Sequence, residues 1–208
     1  MNCKIKLKIV LITYPEFFSG ETEIINALFN KGLETLHVRK PELPDNKVKT
    51  FIQDIHPEYH SRIVLHGNYN LKNEFPVKGL HFSRSTILYS GVEKSFGLSL
   101  SYSAHSTGEI QKYADTFDYI FLSPVFDSIS KDGYTSAFQL GELKIFFEDY
   151  NGKAGILALG GINSARITDI KDVGFHGVAL LGAIWNSRNS GKAIDEFVKV
   201  SELWEVKV

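Results

Sequence analysis

Gly155-Ile-Leu-Ala-Leu-Gly-Gly-Ile-Asn163 and Gly177-Val-Ala-Leu-Leu-Gly-Ala-Ile184 are each a buried-type apolar run that breaks into glycine, with a helix-length polar stretch between them. Glycine lets a backbone approach an anion closely and leaves its N–H groups free to donate. Two such loops after consecutive parallel strands are how a (β/α)8 barrel holds a phosphate, at strands seven and eight. The pair therefore predicts a fold and a chemical handle together: a barrel, and a ligand phosphate held at Gly160, Gly161, Leu181 and Gly182.

Working outward, short β-rich runs alternate with amphipathic stretches along the whole chain. Strands are expected at Ile9–Thr13, Thr35–Val38, Arg62–Leu65, Gly79–Phe82, Gly97–Leu100, Tyr119–Leu122, Ile156–Leu159 and Gly177–Leu181. Helices are expected at Glu21–Lys31, Pro44–Ile55, Ser106–Ala114, Leu140–Glu148, Asn163–Asp172 and Gly191–Leu203, with a poor one near Leu71–Phe75. The fourth connection, Ser83–Lys94, looks too short and irregular for a helix. Strands buried on both faces read as apolar runs, and their alternation with helices means parallel βα units. The reading is α/β: a single (β/α)8 TIM barrel with parallel strands, one domain over residues 1–208. A doubly wound sheet would carry its glycine fingerprint at the first βα turn. That turn reads Tyr14-Pro-Glu-Phe-Phe-Ser-Gly20, without Gly-x-Gly.

Length and composition agree with this. Barrels of ~250 residues are typical and lean ones approach 200, against 208 here. A net charge of −1 gives no electrostatic case for nucleic acid or an anionic membrane. Cys3 is the only cysteine, which excludes an internal disulfide or a cysteine metal cluster and fits a cytoplasmic address. Tyr14-Pro15 stops the N-terminal apolar run early, so it reads as a first strand rather than a signal peptide. No span is long enough to cross a bilayer. The apolar tail around Trp204 makes a homodimer the modest expectation.

In such a barrel the chemistry lies at the C-terminal ends of the strands. Strand two ends His37-Val-Arg39-Lys40. His37 and Arg39 share a face, and an arginine there is an anion clamp or half of an ion pair. Lys40 points the other way and reads as solvated. Strands three and four end in His66 and His81. Three histidines at strand ends suggest zinc, yet they lie on separate strands without helical His-x-x-x-His spacing, so the reading assigns no metal. After strand five, His105 precedes a helix start capped by Ser106 or Thr107; the helix dipole favours a neutral, proton-shuttling imidazole. After strand six, Ser128, Ser130 and Lys131 make a polar, lysine-tipped loop suited to a phosphate or pyrophosphate.

Together these segments resemble the thiamine-phosphate synthase and TenI-type thiazole tautomerase family. His37-Val-Arg-Lys is similar to its strand-two motif, Ser123-Pro-Val-Phe-Asp-Ser-Ile-Ser-Lys-Asp to its strand-six loop, and the glycine segments to its phosphate-binding ends. The resemblance implies a small phosphate substrate, the thiazole phosphate precursor of thiamin. It gives substrate-binding roles to His37, Lys40, Arg84, Ser128 and Ser130, and catalytic ones to His105, Lys131 and Arg39. A synthase joins that thiazole to an aminopyrimidine pyrophosphate with the help of Mg2+. The family's magnesium carboxylates follow strands three and four, where this chain reads His66-Gly67 and Arg84-Ser85-Thr86. Magnesium prefers hard oxygen anions. Either Arg84 replaces the metal's charge, or the chain does not couple. His105-Ser-Thr-Gly-Glu109 resembles the tautomerase form. Metal-free acid/base chemistry with no cofactor is therefore the first expectation, coupling with Mg2+ the alternative, and a catalytically silent thiamin-phosphate-binding barrel a third. Another sugar-phosphate or anthranilate-phosphate isomerase is disfavoured, since no strand ends in a carboxylate suited to act as base.

Overall fold

A computed structural model describes residues 8–90, 97–127 and 138–205. Eight parallel strands close into one barrel in chain order. They are β1 (Ile9–Ile12), β2 (Thr35–Val38), β3 (Ile63–His66), β4 (Gly79–Phe82), β5 (Ser99–Ala104), β6 (Tyr119–Leu122), β7 (Gly155–Leu159) and β8 (Gly177–Leu180). The helices are α1 (Glu21–Asn30), α2 (Asp45–Gln53), α3 (Arg84–Ser90), α4 (Thr107–Tyr113), α5 (Leu140–Asp149), α6 (Ile167–Val173), α7 (Gly182–Trp185) and α8 (Ser190–Glu205). β1 closes on β8 with Val10 opposite Ala179 and Leu11 opposite Leu180.

Three expectations are corrected. The fourth connection does hold a helix, α3, whose first turn is closed by Ser83: the Ser83 carbonyl accepts from the Thr86 and Ile87 amides. The third connection instead makes a 3-10 turn over Tyr69–Asn73. β5 starts and ends later than the apolar run suggests. In Ser99-Leu-Ser-Tyr-Ser-Ala104 the serines alternate with buried Leu100, Tyr102 and Ala104, so the strand has a polar face and no continuous run to recognise.

The helices coat the barrel through apolar stripes at helical spacing. α1 buries Ile24, Ile25, Leu28 and Phe29; α8 buries Ala193, Phe197 and Val200. No helix among the described residues is long and apolar enough to cross a membrane.

The interior of the barrel divides into two halves. Val10, Ile12, Leu157 and Ala179 from β1, β7 and β8 pack with Tyr119 and Phe121 of β6. Across from them β2 to β5 send in His37, His66, His81, Ser101 and Ser103, which bond to one another and to Tyr119. Branched aliphatic layers usually fill this space; here one side is filled by imidazoles and hydroxyls.

Lys40 is buried rather than solvated. Its Nζ donates to Glu21 Oε1 and Oε2 at 2.8 and 2.6 Å and to the Tyr14 and Glu16 carbonyls at 2.9 and 3.2 Å, and it lies 4.7 and 4.5 Å from the Phe17 and Phe51 ring centres. The Tyr14 amide donates to Glu21 in turn. Burial pushes the Glu21 carboxyl up and the Lys40 ammonium down, and their mutual bonding opposes both shifts. The pair ties the β1–α1 loop to the end of β2, beside Arg39. Glu21→Gln removes the counter-charge and is expected to cost about 3–5 kcal/mol in denaturant melts. Lys40→Met combined with Glu21→Leu should recover most of that loss. A cost below about 0.5 kcal/mol for Glu21→Gln would mean the pair does not hold the loop.

Candidate functional site

The C-terminal ends of β2, β3 and β4 bring together three histidines that sequence spacing keeps apart. His37 Nδ1 lies 2.6 Å from His66 Nε2, and His37 Nε2 lies 2.6 Å from the Tyr119 hydroxyl. His81 Nδ1 meets Ser101 Oγ at 2.9 Å and its Nε2 meets Ser103 Oγ at 2.8 Å. His66 stacks on His81 with ring centres 3.9 Å apart and planes 14° apart, and His81 stacks on Phe121. His37 and His81 are buried, whereas His66 is half-buried at the mouth.

Burial dominates the electrostatics. It pulls His37 and His66 well below the usual imidazole range; His81 and Lys78 further disfavour a proton on His37, and His81, His37 and Arg39 disfavour one on His66. His81 falls to about 3, through burial and then Arg39. All three rings are neutral at neutral pH. The Tyr119 hydroxyl has its ionisation pushed up by burial.

Arg39 is exposed at the mouth, directly after β2. Its strand end is fixed by a two-way bond with Thr13: the Arg39 amide donates to Thr13 Oγ1 at 2.9 Å, and the hydroxyl donates to the Arg39 carbonyl at 3.0 Å. His105 is exposed on the β5 rim, where its Nδ1 meets the Ser123 carbonyl at 2.9 Å and its amide donates to Glu109 at 2.7 Å. A carbonyl only accepts, so the proton sits on Nδ1 and the lone pair on Nε2. Ser106 caps α4 by accepting from the Glu109 amide. Arg84 stands exposed at the start of α3 with its Nε 3.8 Å from Glu109 Oε1. Lys40 belongs to the buried ion pair described above. Ser128, Ser130 and Lys131 lie outside the described residues.

The glycine loops have a role the sequence did not reveal. Gly160 and Gly161 have φ of 98° and 65°. The β6 loop lies against them: the Val125 and Phe126 amides donate to the Leu159 and Gly160 carbonyls. A Cβ on Gly160 would meet Pro124 at 2.9 Å, and one on Gly161 would meet the Asp127 carbonyl at 2.6 Å. These glycines thus serve close packing of two loops at the mouth. Beyond them, Asn163–Ala165, Gly182, Ala183, Asn186 and Lys192 border a cleft of 480 Å³. The Ser164 amide there donates to Glu196 at 2.6 Å. The Asn163 Oδ1 atom is buried without a hydrogen-bond partner. Leu181 and Gly182 open α7, which is tied to β1 by the Trp185 indole donating to the Ile12 carbonyl at 2.7 Å.

An unfolded histidine titrates near 6.5 and folded His81 near 3, so between these values the unfolded chain binds more protons. Stability is therefore full above about pH 6.5 and is lost as pH falls, by up to about 1.4 kcal/mol per pH unit for each such histidine. Thermal melts of chelator-dialysed protein from pH 7.5 down to 4.5 should show a steadily falling Tm, less steeply for His81→Gln. A flat profile would contradict buried, neutral imidazoles.

The thiamine monophosphate synthase family model (TMP-TENI) matches residues 9–184. A thiamine phosphate pyrophosphorylase from Bacteroides thetaiotaomicron superposes with a TM-score of 0.83 at 32% identity, covering 97% of this chain and all of that one. One from Pyrococcus furiosus, at 16% identity and a TM-score of 0.74, covers 98% of each chain and speaks to the fold alone. The thiamine-phosphate synthase of Photorhabdus laumondii is 25% identical over 192 residues, 88% of this chain and 87% of that protein. The Latilactobacillus sakei synthase is 27% identical over 140 residues, 65% of this chain and 62% of its own length. With a family match that takes in all eight strands and the whole barrel mouth, the chain belongs to the thiamine monophosphate synthase family.

Proposed function

We propose that the chain is a thiamine-phosphate synthase, joining thiazole phosphate to an aminopyrimidine pyrophosphate and releasing pyrophosphate. The observation that carries this reading is the family match across residues 9–184, with relatives named as synthases. It takes precedence over the metal-free tautomerisation first expected from the sequence.

In the coupling, the bond between the pyrimidine methylene carbon and the pyrophosphate oxygen breaks, and its electron pair leaves with pyrophosphate. The thiazole nitrogen lone pair then forms the new C–N bond. The barrier is charge separation, so the protein's task is to place positive charge on the leaving group and to hold both reactants in line. Arg39 offers a guanidinium fork at the mouth, fixed at its backbone by Thr13. The ends of β7 and β8, at Gly160, Gly161, Leu181 and Gly182, are where a barrel of this kind takes a phosphate.

The family's magnesium does not fit the residues present. Magnesium takes oxygen ligands, and the positions that would supply carboxylates hold His66, Gly67, Arg84, Ser85 and Thr86. Among the described residues, the one grouping of three potential ligand side chains is His37, His66 and His81. No step is therefore assigned to magnesium.

His105 supports a second reading. Its protonated Nδ1 leaves Nε2 as a base on the rim, which is what proton transfer on thiazole phosphate would use. One pair of assays separates the two. Coupling predicts thiamin phosphate and pyrophosphate from both substrates, with kcat/KM about 10²-fold lower or worse for Arg39→Ala and little changed for His105→Ala. Tautomerisation predicts no coupled product, isomerisation of thiazole phosphate alone, and a loss of about 10²–10⁴-fold for His105→Ala.

A further inference from the structure

We propose that His37, His66 and His81 form a trihistidine site for a borderline divalent metal of the zinc type, opening onto the barrel mouth. One ring nitrogen from each histidine lies within 4.8 Å of those of the other two. A tetrahedral site with Zn–N bonds of 2.0–2.1 Å needs its ligand nitrogens about 3.3 Å apart. His37 Nδ1 and His66 Nε2, at 2.6 Å, are inside that spacing, and His66, now stacked on His81 with planes 14° apart, has to tilt off that ring for the in-plane lone pairs to converge on one ion.

The groups around the rings set their lone pairs. Ser101 Oγ donates to the Leu80 carbonyl at 3.4 Å, so its remaining capacity is to accept. It accepts from His81 Nδ1–H at 2.9 Å, which leaves the His81 lone pair on Nε2, facing the half-buried Ser103 hydroxyl. An Nε2–H donated to the Tyr119 oxygen leaves the His37 lone pair on Nδ1, toward His66. In the metal-free chain His66 fills that gap by donating its Nε2 proton to His37 Nδ1. Metal binding replaces that proton, and His66 then carries its N–H on Nδ1. Ser103, the more exposed partner, yields His81 Nε2 to the metal. Two ligands thus have their second ring nitrogen held by buried hydroxyls, the outer arrangement that orients metal-binding histidines.

All three donors are imidazoles, which suits zinc, copper, iron or nickel and not magnesium or calcium. Three protein ligands leave a fourth position open. It faces the mouth, because His66 is the least buried member and Arg39 is near enough to lower the His66 and His81 proton affinities. An anionic substrate oxygen would occupy it between metal and guanidinium. This last role rests on the coupling reading; metal binding itself does not.

The test uses Zn2+ and Co2+ with the full chain and no substrate, so its outcome is independent of whether coupling occurs. Chelator-dialysed protein should take up one equivalent of Zn2+, retain it through gel filtration and melt at a higher temperature. With Co2+ it should show the intense visible absorption of a tetrahedral ion. His66→Gln and His81→Gln should each weaken Zn2+ binding at least 100-fold, and Tyr119→Phe, an outer partner, 10–100-fold. His66 is the least buried member, so its variant keeps the test valid if the His81 variant does not fold. Absence of stoichiometric Zn2+, weak octahedral Co2+ absorption, or Zn2+ affinity unchanged in His66→Gln would overturn the proposal.

Discussion

His37, fully buried in the barrel, bonds His66 and Tyr119 and packs against His81 and Phe121, and the polar half of the interior is organised around it. A buried hydroxyl or imidazole without a partner costs about 1–3 kcal/mol. A barrel that sends three histidines and two serines inward must therefore satisfy them from one another. It does so through two short chains, His66 to His37 to Tyr119 and Ser101 to His81 to Ser103, which meet where His66 stacks on His81. The apolar half, from Val10 to Ala179, supplies ordinary packing on the other side. Removing the middle ring of either chain leaves two neighbours to find new partners, which couples the groups within each chain.

The mouth is held by separate devices at its rim. The Lys40–Glu21 pair and the Thr13–Arg39 bonds anchor the loops of β1 and β2. The Trp185 indole draws the end of β8 onto β1. Gly160 and Gly161 let the β6 loop seat against β7. Arg39 thereby stands exposed at the end of β2, near enough to the imidazole cluster to lower the proton affinities of His66 and His81.

Much of the fold is legible in the sequence because parallel strands buried on both faces read as apolar runs, as β1, β6, β7 and β8 do throughout and β3 does up to His66. β5 deviates in its bounds for the same reason that the cluster escapes notice: its inner face is serine, so its pattern alternates. His37, His66 and His81 are individually ordinary, and no local spacing links them; only closure of the barrel sets three distant strand ends side by side. Lys40 reads as solvated from strand alternation, since its partner Glu21 lies at the start of a helix whose placement the sequence does not fix. Gly160 and Gly161 are recognisable as special, but the sequence cannot distinguish a backbone shaped for an anion from one shaped for Pro124 and Asp127. The family is legible because its motifs are contiguous. The reaction is less so, because the residues that would hold the metal are replaced.

On the trihistidine assignment, the described residues of the barrel mouth offer a metal imidazole nitrogen and not carboxylate oxygen. X-ray absorption at the zinc edge of the Zn2+-loaded chain reads this directly. The account predicts a four-coordinate ion with three imidazole nitrogens at about 2.0–2.1 Å. A six-coordinate shell of oxygen, unchanged when His81 is replaced by glutamine, would contradict it.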